Sequence, residues 1–497
     1  MTMRLGNLLV AAKLATQKDI DEALARQVEK GGRLGDNLIE LGRIDRAKLE
    51  SFLKRVPPEP STISETGIPD ADLLDLLLKL IYTARLETID DFVDAIKLPH
   101  HIVTDLARSL VQSHRLVAVG ASGPLDITTM RYTLTEDGRQ WATGALKKSQ
   151  YTGPAPVSLE AFADRAQLQK ITNETVKAQD LRIAFSDLVI TDSFIERLGP
   201  AVNSGRALLL YGPPGNGKTS VALRLQKVFS DVIYVPYAVM VEGQIMRVYD
   251  PSLHVAPQGA KDEPSGKTTS VRREQHDASW AACNRPFVIT GGELTLEMLD
   301  LSYNPTANFY EAPLHVKALG GCFIIDDFGR QLVSPSNLLN RWIVPLESRV
   351  DYLKLQTGKS FSIPFEEMTI FSTNIEPEDL MDAAFLRRIP YKLRVGEPSQ
   401  DDFRLMLEAV VKTAKLTLTD EVFSSIIKGI TETKGMKLAA YHPQFIVDQV
   451  LAACRFSEHP PAFEPRFIDY ALDNLRVQRS DDAPPSPGQA RVKTARG

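Results

Sequence analysis

Cysteine and tryptophan are scarce in this chain of 497 residues, with three of each. Cys283, Cys322 and Cys454 lie far apart and form no C-x-x-C pair, which excludes a disulfide framework and the common zinc-ribbon spacings. That usage suits a reducing cytoplasm. Long apolar runs are missing as well: no stretch approaches the roughly 18 residues a membrane helix needs, and no signal peptide is recognisable, so no membrane insertion is expected. A surplus of one charge is also absent. The 58 basic and 63 acidic residues leave a net charge of −5, so no global basic field points to a nucleic-acid partner. What remains, 43% hydrophobic and 24% charged residues, is ordinary for globular proteins, and the length implies about three domains.

Against that plain background one segment stands out. Gly212-Pro213-Pro214-Gly215-Asn216-Gly217-Lys218-Thr219 is a complete G-x-x-x-x-G-K-[ST] phosphate loop. The apolar run from Ala207 to Tyr211 leads into it as a buried parallel strand, and Ser220 to Phe229 follows with helix-forming residues. Glycines let backbone N–H groups curl round a β-phosphate, and the helix N-terminus adds partial positive charge. Lys218 is expected to reach the β- and γ-phosphates and Thr219 to place its hydroxyl on Mg²⁺, with Ser220 beside it in the nucleotide site. The chain is expected to bind ATP or a close relative.

The N-terminus carries an internal repeat. Arg4-Leu5-Gly6 recurs as Arg33-Leu34-Gly35, Leu9-Val10 as Leu38-Ile39, Ile20 as Leu49, and Leu24 as Leu53. Each unit reads as a short helix, a break, and a second helix opened by a capping residue, Thr16 or Asp45. The segment, residues 1–56, resembles the MshEN-type domain of type II secretion and type IV pilus ATPases, through Arg4, Leu5, Gly6, Leu9, Val10, Ile20, Leu24 and Gln27. The resemblance implies a cyclic di-GMP site in which Arg4 and Arg33 meet phosphate or guanine while Leu5, Leu9 and Leu34 pack on purines, with Gly6, Gly35 and Gln27 completing it. Lys13, Ala15 and Val56 depart from the family pattern. The alternative is a docking or oligomerisation module in which R-L-G only turns one helix into the next.

Residues 57–69, opening with Pro57-Pro58-Glu59-Pro60, read as a linker. In residues 70–143, Asp72 to Tyr82, Ile89 to Ile96 and Pro99 to Ser113 read as three helices. Leu116 to Val119 and Arg131 to Thr135 read as strands joined by Gly120-Ala121-Ser122-Gly123-Pro124, which is the winged-helix plan. The third helix offers only Arg108, His114 and Arg115, with Asp105 among them, which argues for a protein-contact or spacer role over DNA reading. Residues 144–157 read as the exit linker.

Two further apolar strands end in polar residues. Cys322-Phe323-Ile324-Ile325 runs into Asp326-Asp327, expected to hold the Mg²⁺ shell and to orient or deprotonate water respectively. Thr369 to Thr373 runs into Asn374, placed to bond the γ-phosphate or the water, and Arg387-Arg388 precede a short strand from Tyr391. This ordered set resembles the AAA+ ATPases over about residues 160–475, and Ala318-Leu319-Gly320-Gly321 is similar to the helix-2-insert, MoxR-like clades. The resemblance implies a sensor-1 role for Asn374, an arginine finger acting in trans at Arg387 or Arg388, and a homo-oligomeric ring, usually a hexamer. Asp327 stands where the family usually has glutamate, and Gln444, near the sensor-2 position, supplies no charge.

The expected fold is therefore multidomain: a small α-helical repeat domain, a winged-helix-like domain, an α/β P-loop AAA+ core over residues 158–396, an α-helical lid over 397–478 and a disordered tail over 479–497. About 108 residues separate Lys218 from Asp326, so the core carries an insertion between Tyr237 and Pro313, with a polar loop from Pro257 to Gln275. Tyr237, Val239 and Met240 follow what reads as the second core strand, where AAA+ translocases place pore residues; core packing is the alternative. The expected function is ATP-driven remodelling of protein partners, linked to pilus or secretion machinery and regulated by cyclic di-GMP. The alternative is a DNA-binding transcriptional regulator with an ATPase switch.

Overall fold

The computed structural model describes residues 5–121, 130–229, 231–257 and 276–475. Arg4, the hairpin tip at Gly123-Pro124, the polar stretch ending at Gln275 and the tail beyond Ser480 lie outside the described residues. The protein is a mixed α/β, multidomain chain. It forms two compact units, one from residues 1–185, 191–211 and 219–393, the other from 186–190, 212–218 and 394–497.

In the first unit the N-terminal repeat folds as two helix pairs, Leu5–Ala11 with Gln17–Lys30 and Leu34–Glu40 with Arg46–Arg55. Thr16 and Asp19 form a reciprocal capping box, and the Asp45 carboxylate accepts from the N–H groups of Ala47 and Lys48. The repeated glycine has a packing cause. A Cβ on Gly6 would lie 2.9 Å from Ile20 Cγ2, and one on Gly35 would lie 2.8 Å from Leu49 Cδ2. Equivalent glycines thus admit equivalent aliphatics of the following helix.

Helices Asp70–Ala84, Ile89–Ile96 and His100–Gln112 and the antiparallel pair Leu116–Ala121 with Met130–Leu134 follow the order expected of three helices and a hairpin. A further helix, Glu136–Lys148, opens on a Thr135 cap and continues through Gly144, so the exit segment starts five residues later than composition suggested. Polarity and small residues marked that stretch as linker, but helix propensity in Ala145, Leu146 and the two lysines carried the turn onward.

The central sheet has the strand order Tyr391–Arg394, Leu208–Tyr211, Met368–Thr373, Cys322–Ile325, Phe287–Thr290. The pairings of the last four are parallel. Cys322–Ile325 and Met368–Thr373 are buried along their whole length, as strands covered on both faces must be. Parallel register brings Tyr211, Ile325, Thr373 and Thr290 to one edge: Ile325 pairs with Phe371 and Thr290, and Thr373 with Tyr211. The segments beginning at Gly291, Asp326 and Asn374 leave from that edge, where open α/β sheets place their chemistry.

One expectation needs correction here. Val232–Pro236 is not the second core strand; it pairs antiparallel with Trp280–Asn284, and Phe287–Thr290 occupies the place beside Cys322–Ile325. Five buried apolar residues in a row fit either position, so the run itself did not discriminate. Tyr237 and Val239 consequently do not follow a core strand. Val239 and Met240 lie in Ala238–Val241, part of a second, mixed sheet ordered Ser302–Asn304, Phe309–Glu311, Gln244–Arg247, Ala238–Val241, Val157–Ser158. Val239 is fully buried there and Tyr237 packs against Tyr249, which is core packing and not a pore loop.

Gly320 and Gly321 also have a local reason. Gly320 adopts φ +75°, and a Cβ on Gly321 would sit 2.0 Å from the Pro286 carbonyl oxygen, the atom that accepts from Cys322 N at 2.9 Å. Gly321→Ala is expected to force these strands apart and to cost about 2–3 kcal/mol, comparable to severe overpacking. A thermal midpoint unchanged from the wild type would contradict this account of the glycine.

Candidate functional site

Gly212 to Lys218 of the phosphate loop belong to the second unit, and Thr219 to the first. Gly212, Gly215 and Gly217 have φ of +133°, +76° and +85°, conformations that side chains resist. Contacts add a second constraint: a Cβ on Gly212 would meet the Val395 carbonyl at 2.4 Å, and one on Gly215 would meet the Tyr441 ring at 2.3 Å. Lys218 is buried, and its ammonium donates to the carbonyls of Gly212 and Pro213, each at 2.9 Å. The loop is bonded to the start of helix His442–Phe456: Ala440 N donates to Asn216 Oδ1 at 3.0 Å, and Tyr441 N to Gly215 O at 3.0 Å. Pro213 and Pro214 fill the loop between these constrained glycines.

This unit is otherwise helical. Gln400–Ala414, Asp420–Lys428, His442–Phe456 and Pro465–Asn474 pack around Phe403, Leu407, Ile426, Ile446 and Val450. Gln444 donates to Asp448 at 2.8 Å along its own helix. His442 is buried, which pushes its imidazole down to about 4 and keeps it neutral at physiological pH.

The acidic half lies in the first unit. Lys218–Arg224 is the helix after the loop, shorter than expected because a 3₁₀ turn, Leu225–Lys227, takes over. On that helix Thr219 Oγ1 donates to Asp326 Oδ2 at 2.8 Å, and Ser220 is half-buried beside it. Asp326 N donates to Thr290 O at 2.8 Å, so the neighbouring strand fixes the carboxylate's backbone. Asp327 is exposed and left-handed, with φ +48°; its Oδ1 accepts from Asn374 Nδ2 at 2.9 Å. A left-handed residue other than glycine costs about 1–3 kcal/mol and persists only where its surroundings hold it. Here Phe328 is buried against Phe371, its N–H donates to Ser372 O, and Thr373 Oγ1 donates to its carbonyl at 2.7 Å. Gln331 closes the turn, donating to Asp326 O at 2.9 Å and accepting from Gly329 N at 2.8 Å.

The two arginines divide. Arg388 is half-buried, paired with Glu347 at 3.2 Å and bonded to Ala384 O at 3.0 Å. Arg387 is exposed and, among the described residues, has no hydrogen bond or ion pair.

The structure thus brings Thr219 to Asp326 and Asn374 to Asp327 within one unit, and Lys218 to its own loop within the other. Sequence reasoning missed Gln331, Thr290 and the Ala440-Tyr441 contact. Gln331 carries no motif signal, and backbone partners such as Tyr441 have none to carry.

The residues assigned to cyclic di-GMP are placed differently. Leu5, Gly6, Leu9 and Gly35 are buried within the helical repeat, and Leu34 is half-buried. Gln27 Nε2 donates to Gly32 O at 2.8 Å, and Arg33 is the residue before helix Leu34–Glu40. Leu5 and Leu9, at 6% and 0% exposure, present no surface to a purine in this arrangement. In residues 70–143, Arg108 pairs with Asp105 at 2.6 Å on its own helix, and the Arg115 guanidinium lies 3.5 Å from the Trp141 ring centre.

Residues 399–474 match a family model described as a domain of unknown function, DUF8689. No curated protein matches the chain. Among solved structures it is similar to a RuvB mutant of Thermotoga maritima, at 12% identity and a TM-score of 0.32, over 62% of this chain and 74% of that one. No helix among the described residues is long and apolar enough to cross a membrane.

Replacing Asp327 with Asn is expected to leave nucleotide affinity within about threefold while turnover falls about a hundredfold or more, because an amide accepts no proton. Equilibrium binding of a fluorescent ATP analogue and steady-state phosphate release check the two halves of that statement.

Proposed function

We propose that the chain is an ATP hydrolase of the AAA+ class that works as a homo-oligomeric ring. The observation that carries the reading is the parallel sheet, with the phosphate loop leaving one strand, Asp326-Asp327 the second next, and Asn374 the strand between them. The residues fit a nucleotide with Mg²⁺. Three left-handed glycines give the loop the backbone freedom that would let its N–H groups hold a phosphate, and a threonine hydroxyl beside a carboxylate is a hard-oxygen pair suited to Mg²⁺. When bound, Mg²⁺ would neutralise charge on the β- and γ-phosphate oxygens.

The chain's own groups then take these roles. Lys218 exchanges its two loop carbonyls for phosphate oxygens, at little cost because both sets of bonds are charge-assisted. Asp327, aimed by its strained turn and by the Asn374 amide, orients the attacking water and takes its proton. Arg387, exposed and unpaired, is the finger that completes a neighbour's site, while Arg388 is held by Glu347.

We read the work output as remodelling of protein partners, linked to pilus or secretion machinery through the N-terminal repeat in a docking role. The buried leucines of that repeat favour docking over cyclic di-GMP, and the carboxylate of Asp105 paired with Arg108 on the third helix disfavours a DNA-directed regulator. Calorimetric titration of the chain with cyclic di-GMP tests the first preference. Salt-dependent retention on duplex DNA tests the second.

Subunit mixing tests the ring. Lys218→Ala and Arg387→Ala are each expected to be inactive alone, and mixtures should regain ATPase activity where an intact loop meets an intact finger. Mixtures of Lys218→Ala with Arg388→Ala should add nothing beyond the Arg388→Ala subunits' own turnover. Flat activity in confirmed mixed rings would remove Arg387 from the trans role. Normal hydrolysis by Lys218→Ala would overturn the ATPase reading itself.

A further inference from the structure

Away from the nucleotide-binding residues, the first unit contains a cleft of about 220 Å³ between helix Asp70–Ala84 and the strand pair Ala238–Val241 with Gln244–Arg247. One face of the helix lines it: Asp72, Asp75, Leu76 and Lys79, at the i, i+3, i+4, i+7 spacing that puts side chains on a single stripe. Lys148 contributes from the helix Glu136–Lys148, and Met240 and Ile245 supply apolar walls from the strands.

The polar groups are unevenly satisfied. Asp75 is engaged at both oxygens, accepting from Trp141 Nε1 at 2.7 Å and pairing with Lys148 at 3.3 Å. Lys79 is only 4% exposed, yet its ammonium makes a single hydrogen bond among the described residues, to Ser149 O at 3.0 Å. An ammonium has three donors, so two remain for the cleft. Burial lowers its pKa to about 8, the cost of an under-solvated charge. Asp72 is half-buried and has no hydrogen bond or ion pair among the described residues; burial, then Asp75, push its carboxyl up. Buried polar groups of this kind are normally paired, and an unpaired set facing a cavity marks a place where something else completes it.

Charge decides what that is. Two carboxylates and two ammonium groups sum to zero, so a polyanion such as a nucleotide would meet Asp72 and Asp75, and a polyamine would meet Lys79 and Lys148. Asp72 accepts no hydrogen bond among the described residues and Lys79 is the most deeply buried of the four charges, with apolar Leu76 between them on the helix. We propose that this cleft binds a small organic zwitterion of the amino-acid type, its ammonium on Asp72, its carboxylate on Lys79 and its carbon body against Leu76 and Ile245. Such a ligand would join the helical segment to the inserted sheet. The site does not depend on the ATPase reading.

The test is calorimetry on the full chain with the standard L-amino acids, β-alanine and 4-aminobutyrate. At least one is expected to bind saturably with a Kd of about 1 mM or tighter. Its decarboxylated amine and its deaminated acid should each bind about tenfold more weakly or worse, since each loses one charge-assisted bond. Asp72→Asn and Lys79→Gln should weaken the amino acid by a similar factor. If Lys79→Gln fails to fold, Asp72→Asn at a half-exposed position decides the matter. No saturable heat from any of these compounds at about 10 mM (ten times the weakest expected Kd), an amine or acid that binds as well as the parent, or unchanged affinity in the folded variants would each overturn the proposal.

Discussion

Much of the first unit hangs on one buried guanidinium. Arg285, 3% exposed, donates to the carbonyl oxygens of Gln169, Lys170 and Gly320 and to the carboxylates of Asp231 and Glu174. It therefore fastens the segment entering the core, the turn before Cys322–Ile325 and the approach to Val232–Pro236 in a single fork. Asp231 also pairs with Arg55, the last residue of the helical repeat, and the Arg165 guanidinium bonds the carbonyls of Lys54 and Arg55. Arg285 and Arg55 balance Asp231 and Glu174, while Arg165 is held by carbonyls alone. Such a cluster is worth little over a packed apolar core, but loss of one member strands the rest, at about 3–5 kcal/mol. Guanidinium suits the task because five fixed donors reach several carbonyls at once, which a lysine cannot do.

How much could be read in advance follows from where each signal resides. The phosphate loop, Asp326, Asp327 and Asn374 were legible because a strand ending in a polar residue combines a local pattern with a chemical demand. The two capped helix pairs were legible because Thr16 and Asp45 act on their own next turns. The insertion was visible as surplus length, yet its strands were not assigned correctly. Val232–Pro236 and Phe287–Thr290 differ by which strand they pair with, and pairing is a long-range property.

Glycine was the other source of ambiguity. In R-L-G the glycine reads equally as ligand approach or as helix approach, and only the positions of Ile20 and Leu49 separate the two. The same holds for Gly320-Gly321, a clade resemblance in sequence and a contact with Pro286 in space. Asp327 illustrates the opposite case. A shortened carboxylate was visible in the sequence, whereas the left-handed turn that holds it, closed by Gln331 and anchored by Phe328, was not.

The bonds from Ala440 and Tyr441 to Asn216 and Gly215 have a consequence for how the molecule opens. Local unfolding proceeds in contiguous cooperative blocks, and shared main-chain bonds assign a loop to one block or another. These bonds tie the phosphate loop to the C-terminal helices, so its amide protons are expected to exchange with solvent at the pace of those helices, whose stretch matches a domain of unknown function.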